Sequence, residues 1–382
     1  MIAPFSLKQT PEEERLRQTG EWWIDPWWLS DNWLEISPRT STQVQEAFEY
    51  LKQIFDPSWL RSYKGELIDN LFLRSVLYDR SAFTRNHLIS LSERLKRLEV
   101  IDGIHVVIRG LRGRHESDAA DMELDLADYF VQEGYQVEFP VAKSSRGKSH
   151  DIRLTKGGIR LAVECKRLSI SQITAWLNNV FHIAATSLMS IAETNGLGVY
   201  YSFSSEIVRD LLEKRSSGIT ETEAAKSLIN RLSEEIKSAV VRNQWPLWIW
   251  IDRLGDGFFY KTESTAGSTV GTPEMPDELL FRRMLQNAVI PAAEQLANED
   301  MPGLIAIHAR DIPSEEYLAE EANRFLFENR DSYAHIIAVL ILPWQGWFKR
   351  NRPRLIVNRH AKHVLGDRDV VSVLEKFDPT VL

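Results

Sequence analysis

Helical spacing of apolar residues dominates the first quarter of the chain. From Ser41 to Phe55 and from Ser81 to Leu98, apolar residues recur at helical intervals with charged residues between them. This period predicts amphipathic helices, because residues three and four apart share one helix face. We therefore expect residues 1–100 to form an N-terminal helical region.

Strands and helices alternate after this region. A helix is predicted from Ser117, which can cap it, to Glu133, where Gly134 can stop it. The segments that follow predict strands Tyr135–Pro140, Asp151–Thr155 and Ile159–Leu168, helix Gln172–Thr194 and strand Leu197–Phe203. The order α-β-β-β-α-β predicts an α/β core over residues 101–205.

The remaining residues, 206–382, are expected to form a C-terminal α/β region of unknown role. Its predicted helices are Glu221–Arg242, Asp277–Ala297 and Ser314–Phe327, and its strands are Leu247–Leu254, Leu304–Ala309, His335–Leu342 and Leu355–Val357. Thr262–Pro276 is rich in Gly, Ser, Thr and Pro, which predicts a loop. Whether these strands extend the first sheet or form a second one stays open.

Two adjacent glycines define the register of the second and third strands. Gly157 and Gly158 can form a two-residue hairpin turn, because such turns need a positive φ. That turn places Asp151 directly opposite Glu164, and opposed side chains in an antiparallel pair lie on one face, about 4.5–5.5 Å apart at Cβ. Two carboxylates this close repel each other unless a cation lies between them, and Mg²⁺ prefers oxygen ligands. Lys166 follows on the same face, where an ammonium can polarise a water or stabilise phosphate charge.

A third acid lies on the helix that begins at Ser117. On a helical wheel, Glu123 falls within the apolar stripe, where an unpaired carboxylate is costly. Such a residue indicates a site. The stripe consists of Ala120, Leu124, Ala127, Phe130 and Val131, and we expect Asp121, Asp125 and Asp128 on the opposite, solvated face.

Glu123 in a helix, followed by Asp151 and then Glu164-Cys165-Lys166, resembles the PD-(D/E)xK nuclease superfamily. The resemblance covers Ser117–Phe203. It implies a restriction-endonuclease-like αβββαβ core with a mixed sheet, and a Mg²⁺- or Mn²⁺-dependent endonuclease that hydrolyses phosphodiester bonds. DNA is the expected substrate, and RNA stays open as an alternative.

The resemblance also implies a role for each residue. Asp151 and Glu164 would bind the metal, with the Cys165 carbonyl as a further ligand. Lys166 would orient the attacking water, and Glu123 would assist the metal or its water shell. This sequence has His150 where the superfamily name has proline.

Other interpretations of the same residues stay open. Asp151 and Glu164 could instead lie on a solvated hairpin face, paired with Arg153 and Arg160, and Glu123 could form a buried ion pair with an arginine. The alternative function is a catalytically silent nucleic-acid-binding or scaffold protein on a nuclease-like fold.

Composition and charge limit the classes of partner. The 382 residues carry 46 Lys and Arg against 54 Asp and Glu, a net charge of −8, which argues weakly against nucleic acid. Two basic segments change this interpretation, because a local positive patch can bind a polyanion. The expected nucleic-acid contacts in these segments are Lys143, Arg146, Lys148, Lys349, Arg350 and Arg352.

The single cysteine, Cys165, excludes a disulfide framework or a cysteine zinc site within one chain. The N-terminus has neither a basic start nor a long apolar stretch, so we expect a cytoplasmic protein. Nucleic acid is the expected partner, no membrane partner is expected, and a homodimer stays open.

Overall fold

The computed structural model describes residues 18–19, 39–64, 67, 70–78, 82–114, 116–141, 150–168, 172–194, 197–203, 205–242, 247–251, 255–261, 269–270, 276–309, 313–343 and 354–362. The chain divides into two compact units. The first contains Met1–Leu168, Leu285–Arg310 and Ala319–Leu382, and the second contains Ser169–Met284 and Asp311–Leu318.

The helices and strands are defined here in chain order. The first part comprises α1 (Ser41–Ile54), α2 (Pro57–Ser62), α3 (Leu71–Tyr78), α4 (Ala82–Leu98), α5 (Ile104–Arg112), α6 (Ser117–Gln132), β1 (Gln136–Glu138), β2 (Ile152–Lys156) and β3 (Ile159–Leu168). The middle part comprises α7 (Gln172–Thr194), β4 (Leu197–Phe203), α8 (Ser205–Ser216), α9 (Glu221–Arg242), β5 (Leu247–Ile251), β6 (Gly255–Lys261), β7 (Thr269–Val270) and α10 (Asp277–Met284). The last part comprises a π-helical segment (Leu285–Val289), α11 (Ile290–Leu296), β8 (Gly303–Ala309), α12 (Glu315–Glu328), β9 (Ile336–Pro343) and β10 (Arg354–Val357).

The first unit is built on a six-stranded mixed sheet with the order β1-β2-β3-β8-β9-β10. The β1–β2, β2–β3 and β9–β10 pairs are antiparallel, whereas β3–β8 and β8–β9 are parallel. The predicted α/β class and the mixed sheet are therefore confirmed.

The predicted hairpin register is also confirmed. Lys156 pairs with Ile159 and Ile152 pairs with Val163. Gly157 and Gly158 form the turn with φ values of 59° and 88°, which glycine adopts without a Cβ clash. Asp151 lies one residue before the first paired position.

The N-terminal helices share one hydrophobic core with this sheet. Phe48 of α1, Leu88 of α4, Leu124 of α6 and Leu340 of β9 all belong to it. The boundary expected at residue 100 therefore does not separate two compact units. The described residues do form helices through this region, as predicted.

A four-stranded sheet with the order β5-β6-β4-β7 belongs to the second unit. The predicted strand Leu197–Phe203 lies in this sheet and pairs with β6 and β7. The strand beside β3 is β8 instead, about 135 residues further along the chain. The expected core boundary at residue 205 thus differs from the unit boundary at Leu168.

The outer face of α6 corrects one expectation. Asp121 and Asp128 are buried, and Asp125 is half-buried, although all three were expected in solvent. The cause is α4, which packs on this face and supplies Arg94 and Arg97 as partners. A second layer of helices therefore covers a face of α6 that the residues of α6 predict to be polar and exposed.

Candidate active site

Asp151 and Glu164 lie together at the open end of the β2–β3 hairpin. The two side chains interact directly, because the side chain of Glu164 is among the groups that lower the pKa of Asp151. The main-chain N–H of Cys165 donates to Oδ2 of Asp151 at 2.7 Å, and the N–H of Asp151 donates to the Val163 carbonyl at 3.0 Å. These two bonds hold Asp151 against β3.

Glu164 is 2% exposed, so the solvated-face interpretation is wrong for this residue. Arg153 is engaged elsewhere, because its Nη1 donates to both carboxylate oxygens of Glu138. A buried carboxylate is costly without partners. The partners of Glu164 therefore determine whether its buried carboxylate can be stable and take part in chemistry.

Lys166 is the first of these partners. Its Nζ contacts Oε1 of Glu164, and its side chain keeps 22% of its surface exposed. Residues two apart on a strand lie on one face, as the sequence predicted for this pair. The ammonium is thus adjacent to the Glu164 carboxylate, on a side chain that is partly exposed.

Gln295 of α11 is the second partner, and sequence reasoning missed it. Its Nε2 donates to Oε2 of Glu164 at 2.7 Å, and its Oε1 accepts from Nζ of Lys166 at 3.4 Å. Gln295 lies 131 residues from Glu164, and no motif within the chain marks it. Only the pairing of β3 with β8 brings α11 to this place.

Glu123 of α6 joins the same cluster. Burial raises its pKa well above the usual 4.5, the charges of Asp151 and Glu164 raise it further, and Lys166 opposes them. Burial likewise raises the pKa of Asp151, against the opposing hydrogen bond from the Cys165 N–H. Glu123 therefore interacts electrostatically with Asp151, Glu164 and Lys166, the other three residues of the predicted catalytic set.

Cys165 contributes its backbone to this site. Its side chain is buried in the hydrophobic core, and burial raises the pKa of the thiol well above 9.0. A thiol that resists ionisation is a poor nucleophile. The small buried side chain expected from the sequence is what the structure has, and the metal-ligand role of the carbonyl stays a prediction.

His150 is tied to the segment that follows α11. Its side chain is buried, and its Nδ1 lies 2.8 Å from Oε1 of Glu299. Glu299 follows Gln295 by four residues, so one short segment reaches both Glu164 and the residue before Asp151. This segment therefore contacts the carboxylate of Glu164 and the side chain that precedes Asp151.

Beside the site, a second set of charges joins α6 to the ends of β3 and β8. Arg167 contacts Asp118, and His308 is the ladder partner of Arg167. Burial lowers the pKa of His308 to about 4, although Asp121 and Asp118 act in the opposite direction. His308 is therefore neutral at pH 7.

The donor set suits a hard divalent cation. Carboxylate oxygens are the ligands that Mg²⁺ prefers, and the carboxylates of Asp151 and Glu164 lie here beside one ammonium. Among the described residues, no group of three or more His, Cys, Asp or Glu side chains has metal-ligating geometry. Burial is the main cause of the raised pKa values of Glu123 and Asp151, and the charge of Lys166 opposes it in both.

The expected nucleic-acid contacts lie outside the described residues. These are Lys143, Arg146, Lys148, Lys349, Arg350 and Arg352. Their role stays a prediction.

Comparison with known proteins found no match among family models, curated proteins or solved structures. The fold and the cluster define the protein only as an α/β protein with a six-stranded mixed sheet and a buried acid–lysine site. Among the described helices, none combines the length and the apolar character needed to cross a membrane.

Proposed function

We propose that the protein is a Mg²⁺- or Mn²⁺-dependent nuclease that hydrolyses phosphodiester bonds, in DNA rather than RNA. The observation that carries this proposal is the meeting of Glu123, Asp151, Glu164 and Lys166 in one partly buried cluster. These residues come from a helix and both sides of a hairpin. An ordinary core rarely contains three acids and a lysine, because burying charged side chains costs free energy of folding.

The fold supports the same proposal. The first unit contains elements in the chain order α-β-β-β-α-β. They are α6, β1, β2, β3, α11 and β8, and β8 lies parallel to β3. This is the order expected of a restriction-endonuclease-like core. Residues 169–284, which contain the second sheet, would then be an insertion between the third strand and the second core helix.

The residues would divide the chemistry between them. Asp151 and Glu164 would hold the ion, and a bound Mg²⁺ polarises a phosphate oxygen and lowers the pKa of its water. Lys166, which is partly exposed beside Glu164, would orient the attacking water and stabilise charge that develops on the phosphate. In its ionised form, Glu123 would accept a hydrogen bond from a water of the metal's shell.

Cleavage of supercoiled plasmid and of end-labelled single- and double-stranded oligonucleotides tests the proposal. We expect cleavage with Mg²⁺ or Mn²⁺, no cleavage with EDTA, and a loss of at least about 100-fold in Glu164→Gln. Glu138→Gln is the matched control, because Glu138 lies on the neighbouring strand β1 and is 40% exposed in a pair with Arg153.

The alternative, a silent nucleic-acid-binding protein, makes a different prediction. Wild type would then retain DNA in a binding titration but leave every substrate intact at all metal concentrations. That result would refute the nuclease proposal.

A further inference from the structure

Gln295 occupies a bridging position between two charged side chains of opposite sign. Its amide N–H₂ donates to Oε2 of Glu164 at 2.7 Å, and its carbonyl oxygen accepts from Nζ of Lys166 at 3.4 Å. A carboxylate only accepts and an ammonium only donates, so the two partners together allow a single orientation of the amide.

The helix that carries Gln295 is well anchored. Ala292, Ala293 and Leu296 are buried, and the Ala293 carbonyl lies 2.8 Å from Nε2 of His335. The same segment reaches His150 through Glu299. A side chain on such an element can hold its partners within the narrow range of geometry that a site needs.

The bridge has a chemical consequence for Glu164. A carboxylate has about four lone-pair sites, and Lys166 and Gln295 each engage one oxygen. With the carboxylate plane fixed from that side, the orientation of Glu164 is set beside Asp151, with whose side chain it interacts. Without the amide, Glu164 could rotate and form a simple ion pair with Lys166.

We infer, building on the proposed nuclease function, that Gln295 is a positioning residue that orients Glu164 for the metal and Lys166 for the phosphate. It acts through these two residues and does not itself need to touch the ion. Outer-shell partners of this kind typically change metal affinity or activity about 10–100-fold when they are removed.

The test replaces Gln295 by methionine, which keeps the length of the side chain but forms neither bond. We expect Gln295→Met to bind Mg²⁺ about 10–100-fold more weakly by calorimetric titration, and to need correspondingly more Mg²⁺ for half-maximal cleavage. Affinity for DNA without metal should stay unchanged. Gln286→Met is the matched control, because Gln286 is an exposed glutamine on the π-helical segment before α11.

The outcomes separate this inference from the proposed function. If wild type cleaves DNA and Gln295→Met retains wild-type Mg²⁺ affinity and cleavage, the positioning role is refuted and the nuclease stands. If wild type binds Mg²⁺ but cleaves nothing, and Gln295→Met binds it 10–100-fold more weakly, the nuclease is refuted and the positioning role stands. A lower melting temperature with unchanged Mg²⁺ affinity would show a merely structural role and refute the inference.

A second variant covers a failure of Gln295→Met to fold. Gln295→Asn keeps a polar amide on a shorter stem, so it should fold while losing reach to Glu164. The same affinity criterion applies to it, with unfolding followed by circular dichroism.

Discussion

Asp151 accepts a hydrogen bond from the main-chain N–H of Cys165 at 2.7 Å, so one site carboxylate is held by the strand that carries the other. Asp151→Asn can keep this bond, because an amide oxygen also accepts, but it removes the negative charge. We expect a melting temperature close to that of wild type and a loss of Mg²⁺ binding by calorimetry. Asp151→Ala should lose the bond as well, at about 1 kcal/mol of stability. Tight Mg²⁺ binding by Asp151→Asn would contradict the assignment.

Lys166 is predicted to act on rate rather than on affinity. Lys166→Ala should slow single-turnover cleavage on the order of 10²–10³-fold, because transition-state stabilisation is concentrated beside the scissile phosphate. Affinity for DNA should change little, because it is spread over many phosphate contacts.

Glu164 is buried against Lys166, so a control for folding is needed. Lys166→Gln keeps a donor for Glu164 and should show the same loss of rate with a melting temperature close to that of wild type. Equal cleavage rates in wild type and both variants would remove Lys166 from the mechanism.

Glu123 should link metal binding to pH. Burial and the charges of Asp151 and Glu164 raise its pKa well above 4.5, so the metal-free protein keeps a proton at this site to higher pH than an ordinary carboxyl would. A cation competes with that proton, so Mg²⁺ affinity should rise with pH until the raised pKa is passed. Calorimetry in two buffers of different ionisation enthalpy measures the protons released.

Glu123→Gln should release fewer protons and flatten this pH dependence, whereas Glu138→Gln, in its exposed pair with Arg153, should leave both unchanged. Identical proton release by wild type and Glu123→Gln would show that another group holds the proton.

Arg94 is predicted to hold α4 on α6. It is 1% exposed, donates to Oδ1 of Asp121 at 3.1 Å and contacts Asp125. Removing one partner of a buried ion pair leaves an uncompensated charge, so Arg94→Met should cost about 3–5 kcal/mol in urea-unfolding experiments.

Glu93, the residue before Arg94 on α4, forms an ion pair that offers a matched comparison. Arg39 pairs with Glu93 near the surface, at a 2.9 Å distance between Nη2 and Oε2. Arg39→Met should cost less than about 1 kcal/mol, because exposed pairs contribute little. Equal losses in the two variants would contradict the proposed role of burial.

His308 should make stability fall in acid. Its pKa is lowered to about 4 by burial, whereas in the unfolded chain it is near 6.5. The unfolded state therefore binds a proton first as pH falls, and stability present above pH 6.5 is lost between 6.5 and 4. At about 1.4 kcal/mol per pKa unit, this shift corresponds to roughly 3 kcal/mol.

His308→Gln should remove that part of the slope when urea unfolding is measured across this range. His182 is exposed on α7, and His182→Gln is the control that should retain the wild-type profile. An unchanged slope in His308→Gln would assign the acid sensitivity to other groups.

The hairpin shows how far local pattern reaches. The glycine pair and the alternation of two strands predict that Ile152 faces Val163 and that Asp151 neighbours Glu164, and both hold. These relationships span about a dozen residues, and strand geometry alone transmits them because the side-chain period is two.

The burial of α6 shows where local pattern ends. Asp128 has no exposed surface, yet its own helix marks it as polar and solvated. Arg97 satisfies it with two 2.7 Å hydrogen bonds from a helix 31 residues away. A helical wheel identifies the apolar face of a helix. It does not indicate that a second helix will pack on the polar face and supply arginines for its aspartates.

By itself, the sequence determined the helices between Ser41 and Leu98, the hairpin with its register, and the acid–acid–lysine set with Glu123, because each depends on periodicity or turn chemistry within a short segment. Only the tertiary structure decided that β8 lies beside β3, that β4 belongs to another sheet, and that Gln295 reaches Glu164. Those relationships join residues more than 50 positions apart, where pairing depends on the packing of whole elements, and a single sequence carries no local signal for that choice.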